Sequence, residues 1–442
     1  MLLEFRVDNY KLFRNELVFS MIPAPKQRDL NFSILHDKLG SKTYKGLSSA
    51  VIYGSNAAGK TNVISAMEVF KSIILRGHIR NGEGRSNTNP ATQLLELIPN
   101  LSAERNAPVS FSIKFIEESV AIEYFLSINL GSFMESSAKR KIVLERLCIN
   151  EKMIFQRKNE LIIESIETIE EYLVTGLRGN ENSIMKLAQN NMNDEELFLI
   201  NGFKAMFSSK LTSLITNWFE NKLLVFCRAD ALQAIPIISD KQSIYIDKTI
   251  NEATKLFGVS SNELAFASSE DDSEAKLYSL LNPRHGEKSA IPSVVFESYG
   301  TIRFVNLFPI IIRALLNGST LVIDEFDASL HPMVLMSIIN IFHNDEINKK
   351  NAQLIFNTHN PIFLNRNLFR RDEIKFVERE DGEYSSILYS LSDFGTSGKR
   401  AVRNSHDYMK NYFVSQYGAI KDIDFSSMFE GMWETGEEKA PL

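Results

Sequence analysis

One loop punctuated by glycine, GSNAAGKT at residues 54–61, constrains the fold of this chain more than any other segment. It fits the pattern G-x-x-x-x-G-K-S/T, follows the apolar run SSAVIY, and precedes apolar residues at helical spacing. A loop between a strand and a helix can surround phosphates with backbone N–H groups, aided by the helix N-terminus. We predict a nucleoside triphosphate site in which Lys60 reaches the β- and γ-phosphates and Thr61 ligates Mg²⁺. The predicted nucleotide-binding residues are Gly54, Ser55, Asn56, Ala57, Ala58, Gly59, Lys60, Thr61 and Asn62.

Two later segments place polar side chains at the ends of apolar runs. LVIDEFD, residues 321–327, predicts a buried strand that ends in carboxylates. Asp324 is the candidate for holding Mg²⁺, directly or through water, and Glu325 is the candidate for polarising an attacking water. FNTHNP, residues 356–361, puts His359 at the end of the next buried strand, where a γ-phosphate sensor is expected.

The string SYGT, residues 298–301, stands at the head of a long apolar run that predicts a helix over 302–318. A Ser298 hydroxyl and a Gly300 amide at a helix N-terminus suit contact with a phosphate. Within one chain this string is expected to lie far from the phosphate loop, so we predict that two chains pair head to tail. The simpler alternative is that Thr301 is an ordinary helix N-cap.

The order of strand and helix patterns predicts an α/β fold. Buried strands at 48–53, 321–323 and 353–356 are separated by helices, as in a mainly parallel sheet. Alternating runs within 1–22, 108–130 and 140–159 predict an antiparallel β-lobe. The predicted domains are 1–162 and 291–405 for the two parts of an ATPase domain, 163–290 for a mostly helical insertion, and 406–442 for a helical and acidic tail.

Bulk composition narrows the class of protein. The chain has 442 residues, 44% of them apolar and 24% charged, and a net charge of −6. The net charge disfavours a sequence-independent nucleic-acid binder, although basic clusters at 139–141 and 399–403 leave DNA contact as an alternative. Two cysteines support neither a disulfide framework nor a zinc site. No run of 18 apolar residues and no signal peptide pattern occurs, so we expect a cytoplasmic protein without membrane contact.

The order of the phosphate loop, SYGT, DEFDASLHP and NTHNP resembles the ABC-type ATPases of the RecF, SMC and OLD group. Within this group the sequence most resembles the standalone ATPases of anti-phage operons, namely RloA-like proteins and the AriA ATPases of PARIS systems. The segments that carry this resemblance are SYGTIRFVNLFPIIIRALLNGSTLVIDEFDASLHP and the later LSDFGTSGKRAVRN. The resemblance covers about 1–80 and 290–405 and, more loosely, strands within 108–160.

This resemblance implies an ABC-type ATPase fold and roles for particular residues. Ser298, Gly300 and Thr301 would form a signature that acts on the nucleotide of another chain. Asp327 and Ser329 would lie in a loop at the dimer interface, the D-loop, and His359 would be the switch. The signature departs from the L-S-G-G-Q of transporters, and Gln93 is only the nearest candidate for the Q-loop glutamine, a further Mg²⁺ ligand. The short acidic string DID at 422–424 is too little for an OLD-type nuclease.

Two classes of function follow from these patterns. The first is an ATP-hydrolysing sensor and scaffold of a bacterial anti-phage system, acting by abortive infection. It would form dimers or a ring of dimers, hold a separately encoded effector or toxin, and respond to a phage trigger protein. The second is a RecF- or SMC-like ATPase that acts on DNA structure or repair. Both need ATP and Mg²⁺ as cofactors. An orphan transporter ATPase is disfavoured because its signature sequence is missing.

Overall fold

The chain was characterised as a computed structural model. Gln93, Lys399 and Arg400, which carried sequence-based predictions, lie outside the residues that the structure describes. The described residues are 1–25, 27, 30–80, 97–104, 106–131, 139–174, 181–227, 244–245, 247–258, 262–267, 276–281, 289–380, 382–395, 401–403, 406–421 and 424–435.

The secondary-structure elements are numbered in chain order. The strands are β1 (Leu2–Asp8), β2 (Leu17–Ser20), β3 (Ile34–Leu39), β4 (Lys42–Leu47), β5 (Ser49–Tyr53), β6 (Val109–Glu117), β7 (Val120–Asn129), β8 (Lys141–Ile149), β9 (Lys152–Arg157), β10 (Leu161–Ile163), β11 (Leu223–Phe226), β12 (Ile244–Tyr245), β13 (Asn262–Ala267), β14 (Lys276–Leu281), β15 (Ser289–Pro292), β16 (Thr320–Ile323), β17 (Gln353–Asn357), β18 (Ile374–Arg379) and β19 (Ser386–Ser390). The α-helices are α1 (Lys60–Arg76), α2 (Glu181–Asn190), α3 (Lys204–Met206), α4 (Ser209–Asn217), α5 (Lys248–Phe257), α6 (Ser293–Phe296), α7 (Tyr299–Asn317), α8 (Pro332–His343), α9 (Tyr408–Phe413) and α10 (Ser426–Thr435).

The main sheet has, in the described part of the chain, six strands in the order β11-β16-β17-β5-β18-β19. Neighbouring strands are parallel except β18 and β19. All residues of β5, β16 and β17 are buried, as expected for parallel strands that are covered on both faces. Ala50 and Ile52 face a core shared with α1, while Val51 and Tyr53 face a second core shared with α7 and α8. The predicted α/β fold with a mainly parallel sheet is therefore confirmed.

Among the described residues, an antiparallel sheet of seven strands, in the order β10-β9-β8-β7-β6-β1-β2, packs on α1. Phe70 of α1 stacks on Phe111 of β6 with ring centroids 5.2 Å apart, and it also packs on Tyr124 of β7. Such aromatic pairs add about 0.5–1.5 kcal/mol each beyond the burial of their area. The predicted antiparallel lobe, with strand pairs within 108–130 and 140–159, is confirmed.

In the block predicted as a mostly helical insertion, 163–290, most of the described residues are in helices and helical turns. Turns and helices run from Ile166–Tyr172 through α2, α3 and α4 to a π-helical turn at Trp218–Lys222. From Leu223 the described residues include helix α5 but are mainly strands, because β11 joins the main sheet and β12–β15 form a separate antiparallel sheet. These strands were not predicted. NELAFA and KLYSLL are short alternating runs, and their pairing with each other decides their strand state.

Glu145 on β8 fixes the helical half of this block to the antiparallel sheet. Its buried carboxylate accepts the backbone N–H groups of Phe198 and Leu199, each at 2.8 Å. The Tyr124 hydroxyl donates to the same carboxylate at 2.9 Å, and an Arg157 guanidinium nitrogen lies 3.6 Å away. Burial raises the pKa of Glu145, while Arg157 and these donors oppose the rise. The carboxylate therefore supplies acceptors to two N–H groups that a helix start leaves unpaired.

Helix α7 is the one helix in the described part of the chain that is long and apolar enough to cross a membrane, judged by length and composition alone. Of its most apolar 18-residue window, with a mean hydropathy of 1.4, 39% is buried inside the protein. Phe304, Leu307 and Ile311 pack in the core beside β16. This packing accounts for the apolar residues on the buried side of the helix.

We expect Glu145→Ala to lower the free energy of unfolding by about 3–5 kcal/mol, because Arg157 stays buried without its anionic partner. Urea unfolding followed by circular dichroism measures this loss. Glu123→Ala on the neighbouring strand is the matched control. Glu123 is partly exposed and lies 3.8 Å from Lys114, and such a surface pair contributes about 0–1 kcal/mol. Equal losses for the two variants would contradict the anchoring role of Glu145.

Candidate functional site

The site lies where three neighbouring parallel strands end. In the main sheet β17 lies between β16 and β5, with Phe356 opposite both Ile323 and Val51. The residues that follow each strand therefore meet at one edge of the sheet, which is where ligands bind in open α/β sheets. Gly54 follows β5, Asp324 follows β16, and His359 comes shortly after β17.

The phosphate loop has the conformation expected of an anion-binding turn. Gly59 caps α1 at φ 108°, a left-handed conformation that favours glycine, and Ala57 also has a positive φ of 59°. Lys60 is buried, and its Nζ donates to the carbonyl oxygens of Gly54 at 2.8 Å and Ser55 at 3.0 Å. Burial lowers the pKa of Lys60 to about 8, although Asp324 and Glu325 oppose the shift. Lys60 is thus still mainly cationic at pH 7 and lies over the loop where phosphate oxygens would be held.

The predicted Mg²⁺ ligands face each other. Thr61 Oγ1 donates to Asp324 Oδ1 at 3.2 Å, and the Asn357 side-chain amide donates to the same oxygen. Burial raises the pKa of Asp324, and the hydrogen bonds from Asn357 and Thr61 oppose this rise. A hydroxyl and a carboxylate are hard oxygen donors that suit Mg²⁺, which usually keeps several waters and takes further ligands from substrate phosphates. No group of three or more His, Cys, Asp or Glu side chains in the described residues is arranged to hold a metal ion.

Glu325 leaves the sheet in a strained backbone conformation. Its φ of 49° is in the left-handed region, which costs about 1–3 kcal/mol for residues other than glycine. Its backbone N–H donates to Asn357 Oδ1 at 2.5 Å. Asn357 therefore bonds to both acidic residues, which fixes Asp324 towards Thr61 while Glu325 projects into the cleft beside Lys60.

His359 lines the same cleft. Partial burial lowers its pKa, and the positive charge of Lys60 lowers it further, while Asp327 and Glu325 oppose the shift. Its pKa is thus below the ordinary value near 6.5, so the imidazole is neutral at pH 7. A neutral imidazole can donate one hydrogen bond to a phosphate oxygen without adding charge.

The cleft has a volume of about 460 Å³. Its lining includes most of the predicted nucleotide-binding residues and both Glu325 and His359. Three lining residues, Leu12, Asn357 and Arg379, were not predicted. A polar Asn at the end of a buried apolar strand is a usable signal, whereas Leu12 comes from a turn after β1 and Arg379 from the end of β18, which only the fold brings here. The lining residues are Leu12, Asn56, Ala57, Gly59, Lys60, Thr61, Asn62, Glu325, Asn357, His359 and Arg379.

The SYGT string forms the first turn of α7, which begins three residues earlier than predicted. Ser298 is the N-cap, and its Oγ accepts the backbone N–H of Thr301 at 3.1 Å. Thr301 is buried inside the turn with its Oγ1 2.9 Å from Ser298 Oγ. The alternative that Thr301 is the N-cap is therefore wrong. None of Ser298, Gly300 and Thr301 lines the cleft described above.

We expect Asn357→Ala to lower the free energy of unfolding by about 1–3 kcal/mol, because the buried N–H of Glu325 loses its acceptor and Asp324 loses a donor. Urea unfolding measures the change. Asn340→Ala on the exposed side of α8 is the matched control and should stay within about 0.5 kcal/mol of the wild type. A loss no larger for Asn357→Ala than for Asn340→Ala would show that Asn357 does not organise the two acids.

Comparisons with known proteins gave one family match and structural matches. The family model described as "AAA domain, putative AbiEii toxin, Type IV TA system" matches residues 49–365, more than two thirds of the chain. Among solved structures, the SMC head domain from Thermotoga maritima matches with a TM-score of 0.35 and 12% identity, over 88% of this chain and 98% of that chain. No curated protein matches the sequence. The family match runs from β5 past His359 and supports the prediction of an ATPase. The chain therefore belongs to the AAA_21 family of AAA-domain proteins.

Proposed function

We propose that this protein binds and hydrolyses Mg²⁺-ATP in a cleft that a second copy of the chain completes, and that this cycle controls a separate effector in bacterial anti-phage defence. One observation carries the catalytic part. Lys60, Thr61, Glu325 and His359 come from three strand ends and line one cleft of about 460 Å³, and Asp324 accepts the hydroxyl of Thr61 beside it. This volume is within the usual range for small-molecule sites.

Each residue has a chemical task in the proposed reaction. The Lys60 ammonium and the N-terminal amides of α1 bind the β- and γ-phosphates, whose charge they offset. Thr61 and Asp324 would hold Mg²⁺, which offsets the charge that develops on the phosphates. The Glu325 carboxylate accepts a hydrogen bond from the attacking water and orients it, and His359 donates to a γ-phosphate oxygen. Asn357 keeps the two acids apart in their separate tasks.

The proposed second copy would supply the missing side of the cleft. The part of the cleft proposed for the γ-phosphate is lined, in one chain, by Lys60, Glu325 and His359. No residue of α7 lines the cleft. Helix α7 has 19 residues, and its N-terminus combines the Ser298 hydroxyl with the positive end of the helix dipole, which suits a phosphate. Head-to-tail pairing would bring this N-terminus to a neighbour's nucleotide. Asp327 and Ser329 would then lie near the interface, in a dimer or a ring of dimers.

The defence role is supported by sequence resemblance to standalone ATPases of anti-phage operons and by the toxin–antitoxin description of the matching family. In this proposal a phage protein is the trigger, and a separately encoded effector or toxin is held until release. Co-purification with the product of a neighbouring gene, lost on addition of the trigger, is the experiment that tests it. RloA-like or PARIS membership is the finer form of the same proposal.

The second candidate, an ATPase that acts on DNA, has weaker support. In the basic cluster at 139–141, Arg140 is buried and donates to the Ile79 carbonyl oxygen at 3.2 Å. Lys141 lies 3.4 Å from an Asp194 oxygen. Two members of this cluster therefore serve contacts within the fold. ATPase activity that rises with added DNA and falls steeply with salt would favour this candidate.

We expect Lys60→Ala to abolish ATP binding and Glu325→Gln to preserve binding while hydrolysis stalls, because only the first variant removes a phosphate ligand. Fluorescence titration with a labelled nucleotide measures binding, and phosphate release measures turnover. The loss in kcat for Glu325→Gln should be at least about 100-fold. Glu346→Gln, on the surface after α8, is the charge-matched control and should behave as the wild type. Hydrolysis by Glu325→Gln at the wild-type rate would remove Glu325 from its proposed role.

We expect Ser298→Arg to block pairing without unfolding the chain, because a bulky cation would replace the hydroxyl that faces the neighbour's nucleotide. The assay is size-exclusion chromatography with light scattering, with ATP present and in the Glu325→Gln background, where bound ATP persists. Ser213→Arg on the exposed side of α4 is the matched control. ATP-dependent pairs that survive Ser298→Arg would argue against a signature acting between chains.

A further inference from the structure

Arg303 lies in the second turn of α7 and is almost completely buried, with 4% of its surface exposed. Its Nη2 donates to the backbone carbonyl oxygen of Glu325 at 2.6 Å. Burial lowers the pKa of Arg303, and Tyr299, Glu325 and Asp327 oppose the shift. A guanidinium stays charged in proteins, so this is a buried, charge-assisted hydrogen bond to the residue proposed to orient the water.

The backbone of Glu325 depends on partners at both of its polar groups. Its N–H donates to Asn357 Oδ1 at 2.5 Å, and its carbonyl oxygen accepts from Arg303 and from the Ala328 N–H at 3.0 Å. The φ of 49° is unfavourable for Glu and persists only when its surroundings fix it. Arg303 is the one of these partners that comes from the signature helix.

A second contact joins the same helix to the same segment. A Cβ added at Gly300 would lie 2.5 Å from the Ser329 carbonyl oxygen, which is closer than real Cβ contacts. The first turn of α7 therefore touches the turn after β16 through backbone atoms. Helix α7 therefore contacts both ends of the segment 325–329, through Arg303 at Glu325 and through Gly300 at Ser329.

We propose that Arg303 is a positioning residue for hydrolysis, which makes the backbone of Glu325 depend on where the signature helix of the same chain lies. The inference rests on the proposed function above. There, Ser298 and Gly300 serve a neighbour's nucleotide while Glu325 serves the nucleotide of its own chain. Arg303 connects α7 to Glu325, so a shift of α7 on contact with the neighbour moves the carbonyl group of Glu325.

The test uses mixed pairs of full-length chains purified with two different affinity tags. One chain carries Lys60→Ala and contributes only its signature. The other keeps its own cleft and is the only chain that hydrolyses ATP. Arg303→Met in the hydrolysing chain should lower kcat about 10- to 100-fold, as is typical when a supporting partner of a catalytic group is removed. The dissociation constant for nucleotide should change by less than about threefold, since Arg303 touches no phosphate ligand.

Arg303→Met in the other chain, which contributes only its signature, should leave kcat within about twofold of the reference pair. A loss in that chain and not in the hydrolysing chain would overturn the proposal, because Arg303 would then only support the signature. Arg303→Lys keeps the charge and one donor and should recover part of kcat. Arg313→Met, on the exposed side of the same helix, is the matched control and should leave kcat unchanged.

Two further outcomes distinguish a failure of the role of Arg303 from a failure of the proposed function on which it rests. If wild-type pairs neither form with ATP nor hydrolyse it, both the proposed function and the role of Arg303 are overturned. If wild-type pairs hydrolyse ATP and Arg303→Met in the hydrolysing chain keeps the full kcat, only the role of Arg303 is overturned. Thermal unfolding of each variant shows whether it is folded. If Arg303→Met is unfolded, Arg303→Lys is measured in the hydrolysing chain instead, because lysine would make a weaker hydrogen bond to the Glu325 carbonyl oxygen. A kcat equal to that of the wild type in Arg303→Lys then overturns the proposal.

Discussion

The candidate site depends on the side-by-side ends of β16, β17 and β5, and on the buried amide of Asn357 that ties them together. One side chain donates to Asp324 and accepts from the backbone of Glu325. Without these hydrogen bonds the two adjacent carboxylates would repel each other. Because a strand is pleated and the chain then turns at a positive φ, one acid faces Thr61 and the other faces open cleft. Separate tasks for neighbouring residues thus follow from ordinary sheet geometry and one hydrogen-bonded side chain.

The start of α7, which we propose as the signature, does not line the cleft of its own chain. Ser298 caps a 19-residue helix, and the turn that begins with Glu325 lies beneath the start of that helix. The start of α7 and this turn therefore share one rigid junction. Few independent motions remain between them, since Arg303 and the close approach at Gly300 leave little space for the helix to slide. An ATPase built in this way would sense its neighbour through a packed backbone contact.

Local chemistry explains which features the sequence predicted. The loop at 54–61 needs particular residues at particular places, and the apolar strands before it and before Asp324 are visible as short runs. Asn357 depends instead on register, because it matters only once β17 lies between two specific strands. Ser298 and Thr301 are both hydroxyl residues within one turn, so only the extended backbone at Ser298, φ −67° and ψ 152°, decides which one caps. Strand β11 depends on β16, about a hundred residues later, and β12–β15 are short strands that depend on pairing with one another, so their sequences alone did not reveal them.

Strand β11 has a consequence for how this protein can be divided. It belongs to the inserted block by sequence, yet it pairs with β16 throughout its length, and the Asp324 N–H donates to the Phe226 carbonyl oxygen at 2.9 Å. The block is therefore not a detachable module. A truncation that excised 163–290 would strip one side of β16 and leave a row of unpaired peptide N–H and C=O groups open to pairing with other molecules. It would also free the backbone of Asp324, which accepts the hydrogen bond of Thr61. Recombination during evolution would face the same restriction, so the block 163–290 and the rest of the chain are expected to be inherited together.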